Sequence, residues 1–136
     1  MAAFLPPDLR ASLLQSLRLV TLTDRTLTDR SRVKRDWEQA RKRGFAIDDE
    51  ETIVGAAFLA APLFDSEERV CGSISVGVLK ARCSAQIAER IARHVKEACH
   101  NLSQELKAAR YVHASGGWAL DYHEKTSSIQ GKASYV

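Results

Sequence analysis

Two hydrophobic periodicities divide this chain into helical and extended segments. From residue 84 to about residue 110, apolar side chains recur every three or four positions, which predicts the longest helix of the protein. The predicted inner stripe of that helix is Ile87, Ile91, Val95, Ala98, Leu102 and Leu106. A shorter leucine stripe follows Pro6, Pro7 and Asp8, a helix-start signal, and predicts a helix that ends near Arg18. That stripe is Leu9, Leu13, Leu14 and Leu17.

Another helix is delimited by signals at both of its ends. Asp29 or Ser31 can cap the first turn, and Gly44 supplies a left-handed stop. The inner face is predicted to be Val33, Trp37 and Ala40. Just before this helix, residues 21–25 and 26–30 both read Thr-Leu-Thr-Asp-Arg. Two copies are too few for a solenoid, so we interpret them as an irregular connection whose Thr and Asp side chains bond nearby backbone.

Three extended segments are predicted in the middle of the chain, at residues 45–48, 57–64 and 70–78. The polar residues 65–69 predict a hairpin that makes the last two strands antiparallel neighbours. One predicted face of the third strand is small and polar, as the floor of a pocket would be. That face is Cys71, Ser73, Ser75 and Gly77. Strands and helices together predict an α+β fold.

Composition indicates one globular domain without export or membrane signals. The chain has 136 residues, of which 45% are apolar and 27% charged. Its net charge of +3 is too small to indicate binding to nucleic acid or to an anionic membrane through overall charge. No run approaches the roughly 18 apolar residues that a membrane span needs. Cys71, Cys83 and Cys99 are odd in number and lack a C-x-x-C spacing, which does not favour a disulfide framework. We expect a soluble protein of the reducing cytoplasm.

Motifs for catalysis or metal binding are weak. No G-x-S-x-G surrounds Ser73 or Ser75, so a nucleophilic triad is poorly supported. His94, Cys99 and His100 are 5 and 6 residues apart, whereas helical ligands align at i, i+4. We expect a core cysteine and exposed histidines, with no catalytic residue, no metal site and no cofactor.

A basic helix raises the question of nucleic acid. The cations of that helix are Arg30, Arg32, Lys34, Arg35, Arg41, Lys42 and Arg43. Asp36 and Glu38 interrupt the run, and Trp37 is its only aromatic residue. We therefore interpret these cations as a solvated outer face.

Several segments in this order resemble one known family. They are residues 3–10 (AFLPPDLR), 22–29 (LTDRTLTD), 37–44 (WEQARKRG), 45–55 (FAIDDEETIVG), 59–62 (LAAP) and 73–76 (SISV). Together they resemble the effector-binding domain of the IclR family of bacterial transcription regulators. The resemblance implies a GAF-like antiparallel sheet flanked by helices, fused behind a helix-turn-helix and working as a homo-oligomer on operator DNA.

The resemblance also sets expectations for domain organisation. The helix-turn-helix, the first strands of the sensing domain and its Gly-Lys-containing helix start have no counterpart in this sequence. We therefore expect residues 1–110 to be a partial effector-binding domain, incomplete at its N-terminal side, and residues 111–136 to be a loosely ordered tail. Operator DNA would be a partner only through a helix-turn-helix that is absent here.

The resemblance further implies an effector site made of four residues. Asp48 falls where the family has an acidic pocket residue, and Ser75 where it has a hydroxyl. Phe58 replaces a residue that is often smaller, and Gly77 one that is often polar. The implied effector is a small organic acid or aromatic carboxylate. For Asp48 the alternative is a solvated acidic turn, and we expect Asp49, Glu50 and Glu51 to face solvent.

Two other functions stay open at this point. The chain could be a non-sensing remnant of such a regulator that keeps only an oligomerisation surface. The other alternative is that the chain is a small hydrolase-type enzyme.

Overall fold

The structure, a computed structural model, describes the backbone of residues 1–115 and the side chains of residues 1–108. Its helices and strands follow the predicted order. They are α1 (Pro7–Ser16), α2 (Arg30–Arg43), β1 (Ala46–Asp49), β2 (Ala56–Phe64), β3 (Val70–Leu79) and α3 (Ala85–Ser115), with short 3-10 turns at Ala2–Phe4 and Lys80–Arg82. The α+β fold with an antiparallel sheet is thereby confirmed.

Helix α2 has the ends that its sequence predicts. The Asp29 side chain accepts a hydrogen bond from the backbone N–H of Arg32 at 2.9 Å, which satisfies a free donor of the first turn. Gly44 adopts a left-handed φ of 81°, and its N–H bonds the carbonyl of Ala40 at 2.8 Å. Ala40 and Val33 are buried, so this helix contributes its predicted inner face to the core.

Helix α1 is more exposed than its leucine stripe suggests. None of its residues is buried, and Leu9 is 59% exposed. The last turn is held from outside, because the Arg30 side chain donates to the carbonyls of Leu14, Gln15 and Leu17 at 3.0–3.2 Å. These carbonyls lack partners within the helix, so a cation from the second Thr-Leu-Thr-Asp-Arg copy caps α1.

The three strands form one sheet in the order β1-β2-β3, and both neighbouring pairs are antiparallel. The predicted hairpin connects β2 to β3. Its turn is closed by the Asp65 N–H, which bonds the Arg69 carbonyl at 2.9 Å, and by the Asp65 carboxylate, which accepts from the backbone N–H groups of Glu67 and Arg69. A register shift between Leu63 and Phe64 marks the start of that turn.

Helix α3 packs across one face of the sheet. Val95 and Cys99 of the helix are buried against Ala61 of β2, and the Cys99 thiol donates to the Ala61 carbonyl at 3.3 Å. Ser103 is also buried; its hydroxyl accepts from the Phe64 N–H at 3.0 Å and donates to the Cys99 carbonyl at 2.7 Å. These bonds tie the middle of α3 to the end of β2.

The predicted stripe of α3 is rotated from the observed one. Ala98 was expected inside and is exposed, whereas Ala92, Cys99 and Ser103 are buried. The buried line therefore runs through residues 92, 95, 99 and 103. Small side chains on this line let the helix approach the sheet closely. Hydrophobicity alone does not predict which side chains are small enough to lie there.

Helix α3 extends beyond its predicted end. Helix α3 continues to Ser115, five residues beyond its predicted end near residue 110. The rest of the expected tail, residues 116–136, lies outside the described residues. Over the residues that the structure describes, no helix combines the length and apolarity needed to cross a membrane.

Candidate functional site

The four residues singled out from the sequence lie on one face of the sheet, opposite α3. The strand register pairs Asp48 of β1 with Phe58 of β2, and Phe58 with Gly77 of β3, so these three form one row across the sheet. Ser75 pairs with Ala60, two residues along each strand, in the next row on the same face. Since residues two apart on a strand share a face, Ser75 points to the same side as Gly77.

Phe58 and Gly77 fit each other directly. A Cβ atom added to Gly77 would lie 2.8 Å from Cε1 and 3.0 Å from Cδ1 of the Phe58 ring. The ring therefore rests on the glycine backbone and fills the space that a side chain at position 77 would need. Phe58 and Gly77 are therefore structurally linked, because the glycine makes room for the phenylalanine.

Asp48 organises the connection between β1 and β2. Its Oδ1 accepts from the backbone N–H groups of Glu51 at 2.8 Å and Thr52 at 3.2 Å, and its Oδ2 accepts from the Thr52 hydroxyl. A carboxylate offers about four acceptor positions, so one remains for a further donor. Asp48 therefore stabilises an acidic turn, which was the alternative to an effector-binding role. It also lies on the open face of the sheet, in the row with Phe58.

The expectation that the other acidic residues face solvent is wrong for Glu50, whereas the Asp49 side chain is 40% exposed. Asp49 forms ion pairs with Arg25, at 3.0 Å, and with Lys80. The Glu50 carboxylate accepts from the backbone N–H of Gly55 at 2.8 Å, and this side chain is 16% exposed. The acids are held by the 49–55 loop itself and by neighbouring cations, because a tight loop with several free N–H groups recruits carboxylates.

Glu51 is partly buried in the same loop. Burial raises the pKa of its carboxyl, and the nearby carboxylates of Asp36, Asp48 and Asp49 raise it further. Several carboxylates therefore lie close together at this loop, and the nearby Arg32 offsets their effect on Glu51 only in part.

The repeated Thr-Leu-Thr-Asp-Arg segment holds this loop from the other side. The Thr23 hydroxyl donates to the Glu50 carbonyl and the Thr26 hydroxyl to the Glu51 carbonyl, both at 2.6 Å. Within the segment, Thr26 Oγ1 accepts from the N–H groups of Leu22 and Thr23, as predicted for an irregular connection. The long-range contacts were not predicted, since Thr spacing within one segment carries no signal for a loop 25 residues away.

Ser75 lies at the open centre of β3. Its side chain is exposed, and no hydrogen bond joins its hydroxyl to another residue of the described part. Ser73, two residues before it, is exposed on the same face. The small polar face predicted for β3 is therefore present and accessible, with the inner residues of the strand half-buried beneath α3.

The groups considered for metal binding and for nucleic acid lie apart from this face. Cys99 is buried, whereas His94 and His100 are exposed, as expected from their spacing. Among the described residues, no cluster of three His, Cys, Asp or Glu is placed to hold a metal ion. Most cations of α2 are exposed, and Arg43 instead lies 5.2 Å from the centre of the Phe45 ring. The basic helix is thus mainly a solvated face.

The geometry defines a small α+β domain whose sheet packs on a long helix on one side and presents an acid, a hydroxyl and an aromatic ring on the other. The family model described as "Bacterial transcriptional regulator IclR C-terminal" matches residues 1–104. The chain belongs to the IclR family of bacterial transcriptional regulators, and the matched residues correspond to the C-terminal domain of that family.

Individual relatives agree with this assignment. The chain is 38% identical over 98 residues to the HTH-type transcriptional regulator BhcR of Paracoccus denitrificans, a match covering 72% of this chain and 35% of that protein. The IclR protein of Thermotoga maritima has a similar structure, with a TM-score of 0.76 and 27% identity over 78% of this chain and 43% of that one. The chain thus spans less than half the length of these two proteins. The curated relatives are transcriptional regulators rather than enzymes.

A second similar structure contains a ligand. It is a double mutant of the inducer-binding domain of the PobR transcription factor from Acinetobacter, in complex with 3-hydroxybenzoic acid. The TM-score is 0.67 at 16% identity, over 75% of this chain and 59% of that one. At 16% identity this similarity shows a shared fold and nothing further.

Proposed function

We propose that this domain senses a small carboxylic acid effector, which binds on the open face formed by Asp48, Phe58, Ser75 and Gly77 and so controls transcription in the intact regulator. The observation that carries the proposal is the register that sets Asp48, Phe58 and Gly77 in one row, with Ser75 in the next. One aromatic surface, one hydroxyl donor and one anionic acceptor then surround a single area. This is the arrangement expected for a ligand with polar groups at both ends of an apolar body.

The spacing of these groups favours a planar aromatic hydroxy acid. Strands about 4.8 Å apart and a rise of about 3.4 Å per residue separate the Cα atoms of Asp48 and Ser75 by roughly 12 Å. Because side chains on one face stand roughly perpendicular to the sheet, their oxygen atoms are separated by a similar distance, and a hydrogen bond of about 2.8 Å at each end leaves roughly 6 Å between the polar atoms of the ligand. A benzene ring carrying a carboxylate and a hydroxyl has this span. The ligand of the PobR inducer-binding domain belongs to this chemical class.

Each residue then has a distinct role. The Ser75 hydroxyl, which is accessible, donates to the ligand carboxylate. The remaining acceptor position of Asp48 takes the ligand hydroxyl, and the Phe58 ring lies against the ligand ring, an arrangement that favours aromatic over aliphatic acids.

The experiment is ligand-induced thermal stabilisation, because a ligand that binds only the native state raises the apparent stability. The panel contains 3-hydroxybenzoate, 4-hydroxybenzoate, benzoate and, as a non-planar control, cyclohexanecarboxylate. We expect a saturable rise in melting temperature with a hydroxybenzoate and none with cyclohexanecarboxylate. Ser75→Ala should weaken binding of every aromatic acid, whereas Asp48→Asn should weaken binding of the hydroxybenzoates and leave benzoate unchanged.

Asp65→Asn is the matched control. Asp65 builds the β2–β3 turn as Asp48 builds the β1–β2 loop, since both carboxylates accept from backbone N–H groups one turn ahead. Only Asp48 belongs to the proposed site. Equal losses from Asp48→Asn and Asp65→Asn, or no ligand effect in the whole panel, would contradict the proposal.

A second candidate is a domain that only holds copies of the regulator together. It is favoured by the exposure of three large apolar side chains near one end of the sheet, Ile53 at 53%, Val54 at 75% and Leu79 at 60%. This function predicts a dimer in solution whose stability no ligand of the panel changes.

A further inference from the structure

A cavity of about 480 Å³ lies on the face of the sheet that carries α3. The strand register pairs Ile47 with Leu59, and Ala61, two residues further along β2, is buried against α3. The floor of the cavity is apolar and comes from β1, β2 and the start of α3. The floor residues are Ile47, Ala57, Leu59, Ala85 and Ala88. Small organic ligands usually occupy cavities of this size with a mainly apolar lining.

Helix α2 bounds the cavity on its outer side. Asp36 and Arg43 of this helix line the cavity, whereas Trp37 and Ala40 line a smaller one, of about 130 Å³, on the opposite face of the sheet. Because α2 takes part in cavities on both faces, it lies along the outer edge of β1. Any further strand of the sheet would therefore join at β3, and the wall of the larger cavity near β1 does not depend on such strands.

The polar lining of the larger cavity contains more carboxylates than cations. Asp36 lies 3.5 Å from the Arg43 guanidinium, and Asp49 forms an ion pair with Lys80. Glu51 also lines the cavity, and within the described part of the chain its carboxylate has neither a hydrogen bond nor an ion pair. The cavity lining therefore includes a partly buried carboxylate that no described side chain neutralises.

The electrostatic surroundings of Glu51 favour a cation. The pKa of its carboxyl is raised first by burial and then by Asp36, Asp48 and Asp49, and Arg32 lowers that pKa by less. An ammonium group beside Glu51 would offset this repulsion and form a charge-assisted hydrogen bond, whereas an anion would increase the repulsion. The cavity thus combines an anionic group with an apolar floor.

We propose that this cavity binds a small primary amine with an apolar body. The ammonium group of the amine pairs with Glu51, and its apolar part lies on the floor near Ala57 and Ala88. The cavity is on the face opposite the proposed effector site and contains none of the four residues of that site. Amine binding therefore does not depend on the effector proposal.

Thermal stabilisation of the 136-residue chain tests the need for a positive charge. The probe is 2-phenylethylamine, and the control is its neutral analogue 2-phenylethanol. Both compounds have the same aromatic body, and only the amine is charged at pH 7. We expect a saturable rise in melting temperature with the amine at up to millimolar concentration and none with the alcohol. Equal rises with both compounds, or no rise with the amine, would overturn the proposal.

Two pairs of variants locate the site by calorimetry. Glu51→Gln should raise the dissociation constant of the amine at least about tenfold, whereas Glu97→Gln removes the same charge from the exposed surface of α3 and should leave it unchanged. Ala88→Leu narrows the cavity and should also weaken binding, whereas Ala98→Leu adds the same atoms on the exposed surface of α3. The melting temperature of each variant without ligand shows whether its fold is intact. Equal dissociation constants for Glu51→Gln and Glu97→Gln would overturn the proposal.

Discussion

Replacing Gly77 by alanine should destabilise the protein through a single contact, with the ring of Phe58. The added Cβ would lie 2.8 Å and 3.0 Å from two ring carbons, whereas carbon atoms in optimal contact are about 3.5–4.0 Å apart. Either the ring or the β3 backbone must therefore move by several tenths of an ångström or more. Phe58 lies on the central strand, so that movement is resisted from both sides.

The magnitude follows from two opposing terms. Overpacking of this kind costs about 1–3 kcal/mol. Alanine in a strand regains about 0.5–1 kcal/mol relative to glycine, because glycine loses more conformational entropy on folding. The expected net loss of unfolding free energy is about 0.5–2 kcal/mol. When Phe58 is also replaced by alanine only the favourable term remains, so the coupling between the two positions should be about 1–3 kcal/mol.

The assay is a double-mutant cycle in urea, with Gly77→Ala, Phe58→Ala and the double variant compared with the parent chain. Gly72→Ala on the same strand is the control. Its added Cβ meets a Leu63 side-chain carbon at 3.3 Å on the other face, so it should combine additively with Phe58→Ala. A Gly77–Phe58 coupling below about 0.5 kcal/mol would refute the packing argument.

Three further results are expected. Ser103→Ala should lower the free energy of unfolding by about 1–3 kcal/mol, seen as a lower urea midpoint, because the N–H of half-buried Phe64 loses the acceptor that buried Ser103 provides. Glu51→Gln should raise the free energy of unfolding at pH 7 and leave it unchanged near pH 3. Because the pKa of Glu51 is raised in the native state, its ionisation lowers stability as the pH rises through that pKa. Urea titrations at both pH values would detect the difference. Iodoacetamide should modify exposed Cys71 well before Cys99, since burial both shields Cys99 and raises its pKa, and mass spectrometry would reveal the reverse order.

The parts of the fold that could be predicted from sequence are those set by neighbours in the chain. The Asp29 cap, the Gly44 stop and the alternation of β3 all depend on local backbone chemistry, and all three are present. The rotation of α3 was missed because it depends on which side chains are small enough to meet the sheet. Ala98 and Cys99 have similar apolar character, and only packing decides between them.

The sequence names the positions of the candidate site, whereas their arrangement follows only from the structure. Asp48, Phe58, Ser75 and Gly77 could be named from the family resemblance, and alternation along each strand puts Ser75 and Gly77 on one face. The row that joins Asp48, Phe58 and Gly77 requires the register of two separate strand pairs, which depends on the turns between them. The mutual dependence of Phe58 and Gly77 follows only from that register.

The hydrogen bonds of Asp48 determine which substitution can test it. Removal of the carboxylate by alanine would leave the N–H groups of Glu51 and Thr52 without their acceptor, so the 49–55 loop would rearrange whether or not a ligand contacts Asp48. A loss of ligand binding in Asp48→Ala could then result from the rearranged loop and would not show that Asp48 contacts the ligand. Asparagine retains an oxygen for both N–H groups; it removes the charge and replaces Oδ2, the acceptor of the Thr52 hydroxyl, by an amide nitrogen that donates. Binding that survives Asp48→Asn for benzoate but not for hydroxybenzoate therefore assigns the ligand hydroxyl to Asp48, and loss of both would assign the residue to the loop.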